Sequence, residues 1–228
     1  MDIKIIASGS SGNAYLIGDG KTHLLLDAGI SFKRIQIGCG FKTSSIDACL
    51  VTHRHGDHAT AIPKILQRGI TVYSNADVAG LYPGVQSVDA LREFRIGTFR
   101  VLPFEAEHDV PCYGYQATSV ETGEKLVYIT DSAYVRYTFT DLTHIMIEAN
   151  YAQEIIIDNA KHERIPLYLA ERVIQTHMSI ETLLDLLQAN DMSKVRQIYL
   201  LHLSDGNSDA EAFKRQVQQE TGAEVYIA

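Results

Sequence analysis

Residues 50–62 read LVTHRHGDHATAI: an apolar pair, Leu50 and Val51, then His53, His55, Asp57 and His58 within six positions, then small and apolar residues again. Polar side chains packed this densely are costly to desolvate and add nothing to a core, so something must compensate them. A metal ion is the usual partner. A strand ending at Thr52 would deliver His53 and His55 onto a loop, where residues two apart can converge on one ion. Asp57 and His58, at the mouth of a following helix, would face a second. Imidazole nitrogen suits zinc, and a carboxylate suits a position where a water must also bind. The spacing therefore predicts a two-metal site.

Two ions need more ligands than these four. His108 closes VLPFEAEH, Asp131 closes KLVYITD, and His202 closes QIYLLH, so each ends an apolar run where a side chain can emerge from the edge of a core. His177, in QTHMSIETLL, lies just ahead of a helix start, and the free N–H groups there favour an anion. Ser204 and Asn207 follow His202 closely enough to touch a substrate. The SGSSGN stretch at 8–13 lacks the lysine and the spacing of a nucleotide-triphosphate loop. It reads instead as a tight turn, permitted by Gly9 and Gly12, that brings Ser11 and Asn13 toward the site.

The rest of the N-terminal half consists of strand-like runs cut by Gly and Asp turns, with GDGKT as a hairpin turn and PKILQRG as a short helix. Helices are expected near LYLAERVIQ after Pro166, over SIETLLDLLQAND with Ser179 as N-cap, and over SDAEAFKRQVQQETG, where Ser208 and Glu211 have capping-box spacing. AQEIIIDNAKHERIPLYLAERVIQ, residues 152–175, is less regular. With 228 residues and no linker or repeat, one domain covering residues 1–228 is expected, an α/β arrangement of two sheets with helices outside.

A net charge of −8 argues against a surface that grips long nucleic acid through many phosphates. Three scattered cysteines with no CxxC exclude a disulfide framework and a zinc knuckle, which points to a reducing, cytoplasmic setting. No leader-like segment precedes the first strand. No apolar run approaches the roughly 18 residues that span a bilayer, so no membrane partner is expected. A homodimer is left open.

THRHGDH with later His, Asp and His at strand ends resembles the metallo-β-lactamase fold superfamily. ASGSSGNAYLI, EHDVPCYGY, MIEANY and LLHLSDGN resemble its YycJ/WalJ-like branch of DNA exonucleases and their phage-borne relatives. The resemblance implies a four-layer αβ/βα sandwich of two mixed sheets. It also implies that His53, His55 and His108 hold one zinc, that Asp57, His58 and His202 hold a second, and that Asp131 bridges them, with manganese or iron as alternative metals. Asp131 stands where true β-lactamases carry cysteine, which disfavours antibiotic hydrolysis. His177, in a setting similar to that of phosphodiesterase branches, is expected to touch the scissile phosphate and protonate the leaving oxygen, while Asp57 orients the attacking water. The expected function is phosphodiester hydrolysis on nucleic acid or a nucleotide, most closely a DNA exonuclease. A cyclic-nucleotide phosphodiesterase and a glyoxalase II-like thioesterase are the alternatives.

Overall fold

In the computed structural model, which describes residues 1–228, the chain forms two compact units: Met1–Glu105 with Val110–Glu124, and Ala106–Asp109 with Lys125–Ala228.

The first unit begins with β1 (Asp2–Ala7), β2 (Ala14–Gly18) and β3 (His23–Leu26), paired antiparallel. The GDGKT turn joins β2 to β3 as expected. Helix α1 (Phe32–Gly38) leads to β4 (Ala48–Leu50), then to the short helices α2 (Gly56–Ala59) and α3 (Ile62–Gln67). β5 (Thr71–Ser74), α4 (Ala76–Leu81) and β6 (Gln86–Ser87) follow. The six strands form one mixed sheet in chain order, parallel from β3 onward. β4 is buried along its whole length, as a parallel strand covered on both faces must be. Leu25, Val51 and Val72 meet Ile35 of α1 and Ile62 and Ile65 of α3 in the core. Three more strands, β7 (Phe94–Ile96), β8 (Phe99–Ala106) and β9 (Cys112–Ser119), lie side by side. All three cysteines are buried, and none forms a disulfide.

The second unit carries four parallel strands: β10 (Lys125–Ile129), β11 (His144–Glu148), β12 (Gln197–Leu201) and β13 (Glu224–Ile227). Its helices are α5 (Gln153–Lys161), α6 (Leu167–Thr176), α7 (Ile180–Gln188) and α8 (Ala210–Thr221). Ser179 caps α7, accepting from the Thr182 amide at 3.1 Å, and Gly222 ends α8 in the left-handed conformation. Two expectations change here. The cap of α8 is Asp209, whose carboxylate accepts from the Ala212 amide at 2.9 Å, while the Ser208 hydroxyl donates to the Ser204 carbonyl. Aspartate caps as well as serine, and one step of register decides between them. The less regular segment contains α5, whose period is masked because Ile155, Ile156 and Ile157 are consecutive and only Ile156 is buried. No helix is long and apolar enough to cross a membrane.

Two glycines set the loop that carries the histidine motif. Gly12 turns with φ 129°, and Gly29 presses so closely on the loop that a Cβ there would fall 1.5 Å from the Asp57 carbonyl oxygen. Around this contact the Asn13 amide donates to the Asp57 carbonyl, and the Ala28 amide to the His58 carbonyl, each at 2.8 Å. Gly29→Ala is therefore expected to displace residues 57–58, lowering thermal stability together with bound metal in elemental analysis.

A second tie is Asp19. The Thr98 and Ser119 hydroxyls each donate to its carboxylate at 2.6 Å, and the Lys21 and Thr22 amides at 3.0 and 2.9 Å. Burial alone would raise its pKa, but these donors outweigh burial and hold it well below the usual carboxylate range. A depressed pKa stabilises the fold above the unfolded value and loses that contribution as pH falls through the folded one. Asp19→Asn is expected to cost about 1.5–3 kcal/mol near neutrality, with the gap to wild type narrowing below about pH 4 in urea titrations.

Candidate metal centre

Most of the predicted site residues sit at or just beyond the carboxyl end of a parallel strand or in the loop that follows; the exceptions are Asp57 and His58, in the short helix α2, His108, just beyond β8, and His177, at the end of α6. Carboxyl ends are where open α/β sheets place their ligands. In the first unit, His53 follows β4, His55 is the N-cap residue of α2, and Asp57 and His58 lie in its only turn. His53 and His58 are fully buried. His53 Nε2 and His55 Nδ1 lie 3.1 Å apart. Two imidazole nitrogens about 2.0–2.1 Å from one tetrahedral ion would stand at nearly this separation. Asp57 Oδ2 lies 3.5 Å from His58 Nε2.

Behind these groups is Asp27, a fully buried carboxylate just beyond β3 that was not foreseen from the sequence. His58 Nδ1 donates to Asp27 Oδ2 at 2.7 Å, and the Thr52 amide to Oδ1 at 2.8 Å. The Thr52 hydroxyl is 3.1 Å from both carboxylate oxygens and 3.0 Å from His53 Nδ1, so it passes the hold of Asp27 on to a second ring. With a carboxylate as acceptor, the His58 proton must sit on Nδ1, and the lone pair is left on Nε2. Consistent with this, Asn13 Nδ2 lies 3.0 Å from that Nε2. Asn13 thus reaches the site as expected, whereas Ser11 is exposed.

The second unit repeats the arrangement around Glu148, the last residue of β11 and also fully buried. Its Oε1 accepts from His177 Nδ1 at 2.7 Å and from His202 Nδ1 at 3.0 Å, and its Oε2 from the Ser132 and Met178 amides at 3.1 Å. The His177 and His202 rings stack with centroids 5.3 Å apart. Ligand atoms of Asp131, Glu148, His177 and His202 all lie within 4.8 Å of one another. Glu148 is the least suited of the four to hold an ion, because two imidazole donors and two amides already occupy its oxygens. It orients its neighbours instead. His108, just beyond β8, donates from Nδ1 to the Thr176 carbonyl at 3.0 Å, and its ring lies 6.0 Å from that of His177.

Electrostatics follow from burial and these contacts. Burial would raise the Glu148 pKa, but His177 first and His202 next hold it below its ordinary range. For His202 burial works downward and is overcome by Asp131 and Glu148, so its pKa rises. Burial prevails at His108 and lowers it. Backbone strain marks the same places: Asp27, Asp131 and His202 have φ of 57°, 49° and 53°, a left-handed conformation that ordinary residues avoid.

The donor set fits divalent metals. Nδ1 of His53, His58, His108 and His202 is engaged by Thr52, Asp27, Thr176 and Glu148 respectively, the outer hydrogen bond that fixes the tautomer of a metal-binding imidazole. Of the expected substrate contacts, Ser204 donates its amide to the Asn150 carbonyl at 2.9 Å, and the Asn207 side chain is engaged by Asn159 and Ser204. Glu148→Gln, similar in shape but uncharged, is expected to keep the fold and weaken divalent-metal affinity about 10–100-fold, measured by competition with a chelating dye.

A family model described as Beta-lactamase superfamily domain matches residues 22–203. Exodeoxyribonuclease WalJ of serotype 2 Streptococcus pneumoniae is 27% identical over 230 residues, covering 91% of this chain and 83% of that protein. Exodeoxyribonuclease YycJ of Bacillus anthracis is 25% identical over 240 residues, covering 96% and 88%. Among solved structures, the metallo-beta-lactamase fold protein YhfI from Bacillus subtilis superposes with a TM-score of 0.77 at 18% identity, covering 99% of this chain and 95% of that one. That likeness bears out the α/β fold expected from the succession of strands and helices and from the resemblance. The chain belongs to the beta-lactamase superfamily domain family.

Proposed function

We propose that the chain is a metal-dependent hydrolase of phosphodiester bonds in nucleic acid, of the exodeoxyribonuclease kind. The observation that carries the reading is His177, held from Nδ1 by the buried Glu148 carboxylate and set between the His108 and His202 rings. The names of the full-length relatives, exodeoxyribonucleases WalJ and YycJ, support it. So does Asp131, a hard carboxylate where β-lactam hydrolysis uses a thiol.

In this reading His53, His55, Asp57, His58, His108, Asp131 and His202 would hold two divalent ions; zinc suits the imidazole-rich set. When bound, the ions supply Lewis acidity toward phosphate oxygens and lower the pKa of water toward neutrality. Asp57, partly exposed in the first turn of α2, orients the attacking water. His177 donates its Nε2 proton to the leaving oxygen, and the Glu148 carboxylate at Nδ1 stabilises the cation involved in that transfer. Asp27 and Glu148 hold rings in place without touching substrate.

His177→Ala is expected to lower kcat on a labelled DNA strand by about 10²–10⁴-fold while metal content is retained. Equal loss on a thioester, or no loss on DNA, contradicts the assignment. Single strands labelled at either end, compared with cyclic mononucleotides, define the substrate, and cleavage of cyclic mononucleotides alone would favour the compact-substrate alternative.

A further inference from the structure

Acidic residues run throughout this chain, 28 in all, yet none falls between Asp27 and Asp47 and none between Asp57 and Asp77. Those two gaps hold α1 and α3, which pack on one core through Ile35, Ile62 and Ile65. Their cations are therefore gathered on one part of the first unit: Lys33, Arg34 and Lys42 from α1 and the turn after it, Lys64 and Arg68 from α3, all exposed. None of the five forms an ion pair with a carboxylate. Lys64 donates to Gln67 Oε1 at 3.0 Å, and the Arg68 guanidinium lies 5.5 Å from the centre of the Phe32 ring, one residue from Lys33.

Lys33 and Arg34 stand four and three residues before the exposed Ile37, so the three share the outer face of α1. The chain then folds back on the end of the same helix. The Gly40 amide donates to the Ile37 carbonyl at 2.9 Å, the Phe41 amide to the Gln36 carbonyl at 2.7 Å, and the Lys42 amide to the Cys39 carbonyl at 3.1 Å. Phe41 is held there with φ 62°, a left-handed conformation that bulky residues avoid, and it is 74% exposed. An apolar ring kept in water at a conformational cost adds nothing to the core. At its other end α1 starts from the rim of the histidine loop, because Phe32 follows by three positions the Gly29 that presses on Asp57.

Unopposed cations beside an exposed ring match a nucleic-acid strand, in which every linkage carries a charge and every base a face. An anionic lipid surface offers the same charge, but lying on α1 it would press on the rim of the metal centre, whereas a strand held there leads toward it. A chain of net charge −8 has no broad grip on phosphates, and a few cations cleared of acids supply a local one.

We infer that Lys33, Arg34 and Lys42 bind the phosphates of a nucleic-acid single strand and that Phe41 stacks on one of its bases, a substrate-holding surface outside the metal centre. The inference names the substrate class of the proposed hydrolysis, and rests on that reading for the course of the strand from α1 to the histidine loop.

The test is fluorescence anisotropy of a fluorescein-labelled phosphorothioate oligothymidylate with the full chain. In the triple variant Lys33→Gln/Arg34→Gln/Lys42→Gln, affinity at about 0.1 M salt is expected to fall at least tenfold, and the slope of log affinity against log salt to shrink by about 2, which is roughly 0.7 for each of three phosphates. Lys21→Gln/Arg92→Gln/Arg100→Gln removes the same charge from cations that already face Glu121, Asp89 and Glu93, and should weaken binding less than twofold. Phe41→Ala should weaken it about five- to a hundredfold. A wild type that does not bind the strand, a loss under tenfold in the first triple variant, or an equal loss in the second overturns the inference; a loss under fivefold in Phe41→Ala overturns the stacking contact. Wild type that sediments with vesicles of equal parts phosphatidylserine and phosphatidylcholine, loses this in the first triple variant and keeps its oligothymidylate affinity there also overturns it, and assigns the face to a membrane. Hydrolysis of the unmodified strand by the metal-loaded chain is read separately: its absence with binding intact sinks the phosphodiesterase reading and leaves this surface standing.

Discussion

A hydrogen bond from an imidazole Nδ1 to a carboxylate sealed inside the protein is the constraint on which the site depends. Asp27 receives it from His58, and Glu148 receives it from both His177 and His202. A buried carboxylate is costly unless every lone pair is used, and here the donors that satisfy it are the rings whose chemistry matters. The arrangement fixes the proton on Nδ1, so Nε2 presents a lone pair when the ring is neutral, as in His58 and His202, and a second proton when the ring is charged, as proposed for His177. Each unit solves the same problem with one acid placed at the end of a parallel strand, where the last backbone groups turn away from the core.

The fold supports these acids in two ways. Parallel strands buried on both faces, such as β4 and β11, fix their carboxyl ends rigidly, which makes strained residues tolerable just beyond them. Asp27, Asp131 and His202 all take left-handed backbone conformations there, so their side chains leave the strand direction sharply. Close packing does the rest. Gly29 against the Asp57 carbonyl shows that the histidine loop is set by backbone contact as much as by its own short helix.

Much of this was legible in the sequence because a metal-binding motif breaks the ordinary rules of burial. His53, His55, Asp57 and His58 cannot be explained as a core or as a solvated face, and His108, Asp131 and His202 each end an apolar run. Asp27 and Glu148 carried the same signal, LLLDAG and HIMIEAN, but a single acid after a strand also reads as a turn or a cap. Only the three-dimensional placement of the rings distinguishes an orienting carboxylate from those. Helix α5 is not legible because three consecutive isoleucines mask a 3.6-residue period, and the α8 cap falls one residue later than the capping-box spacing indicates because Ser208 and Asp209 are equally good caps.

The proposal is that seven histidine and aspartate side chains, among them His53, His58 and His202 oriented from behind by Asp27 and Glu148, would hold two divalent ions. Elemental analysis with X-ray absorption spectroscopy on the purified chain tests it most directly. The account predicts about two ions per chain, coordinated only by nitrogen and oxygen, with imidazole scattering at about 2.0–2.1 Å if the metal is zinc. A chain that retains no ion after metal loading, or a first shell containing cysteine sulfur at about 2.3 Å, would contradict it.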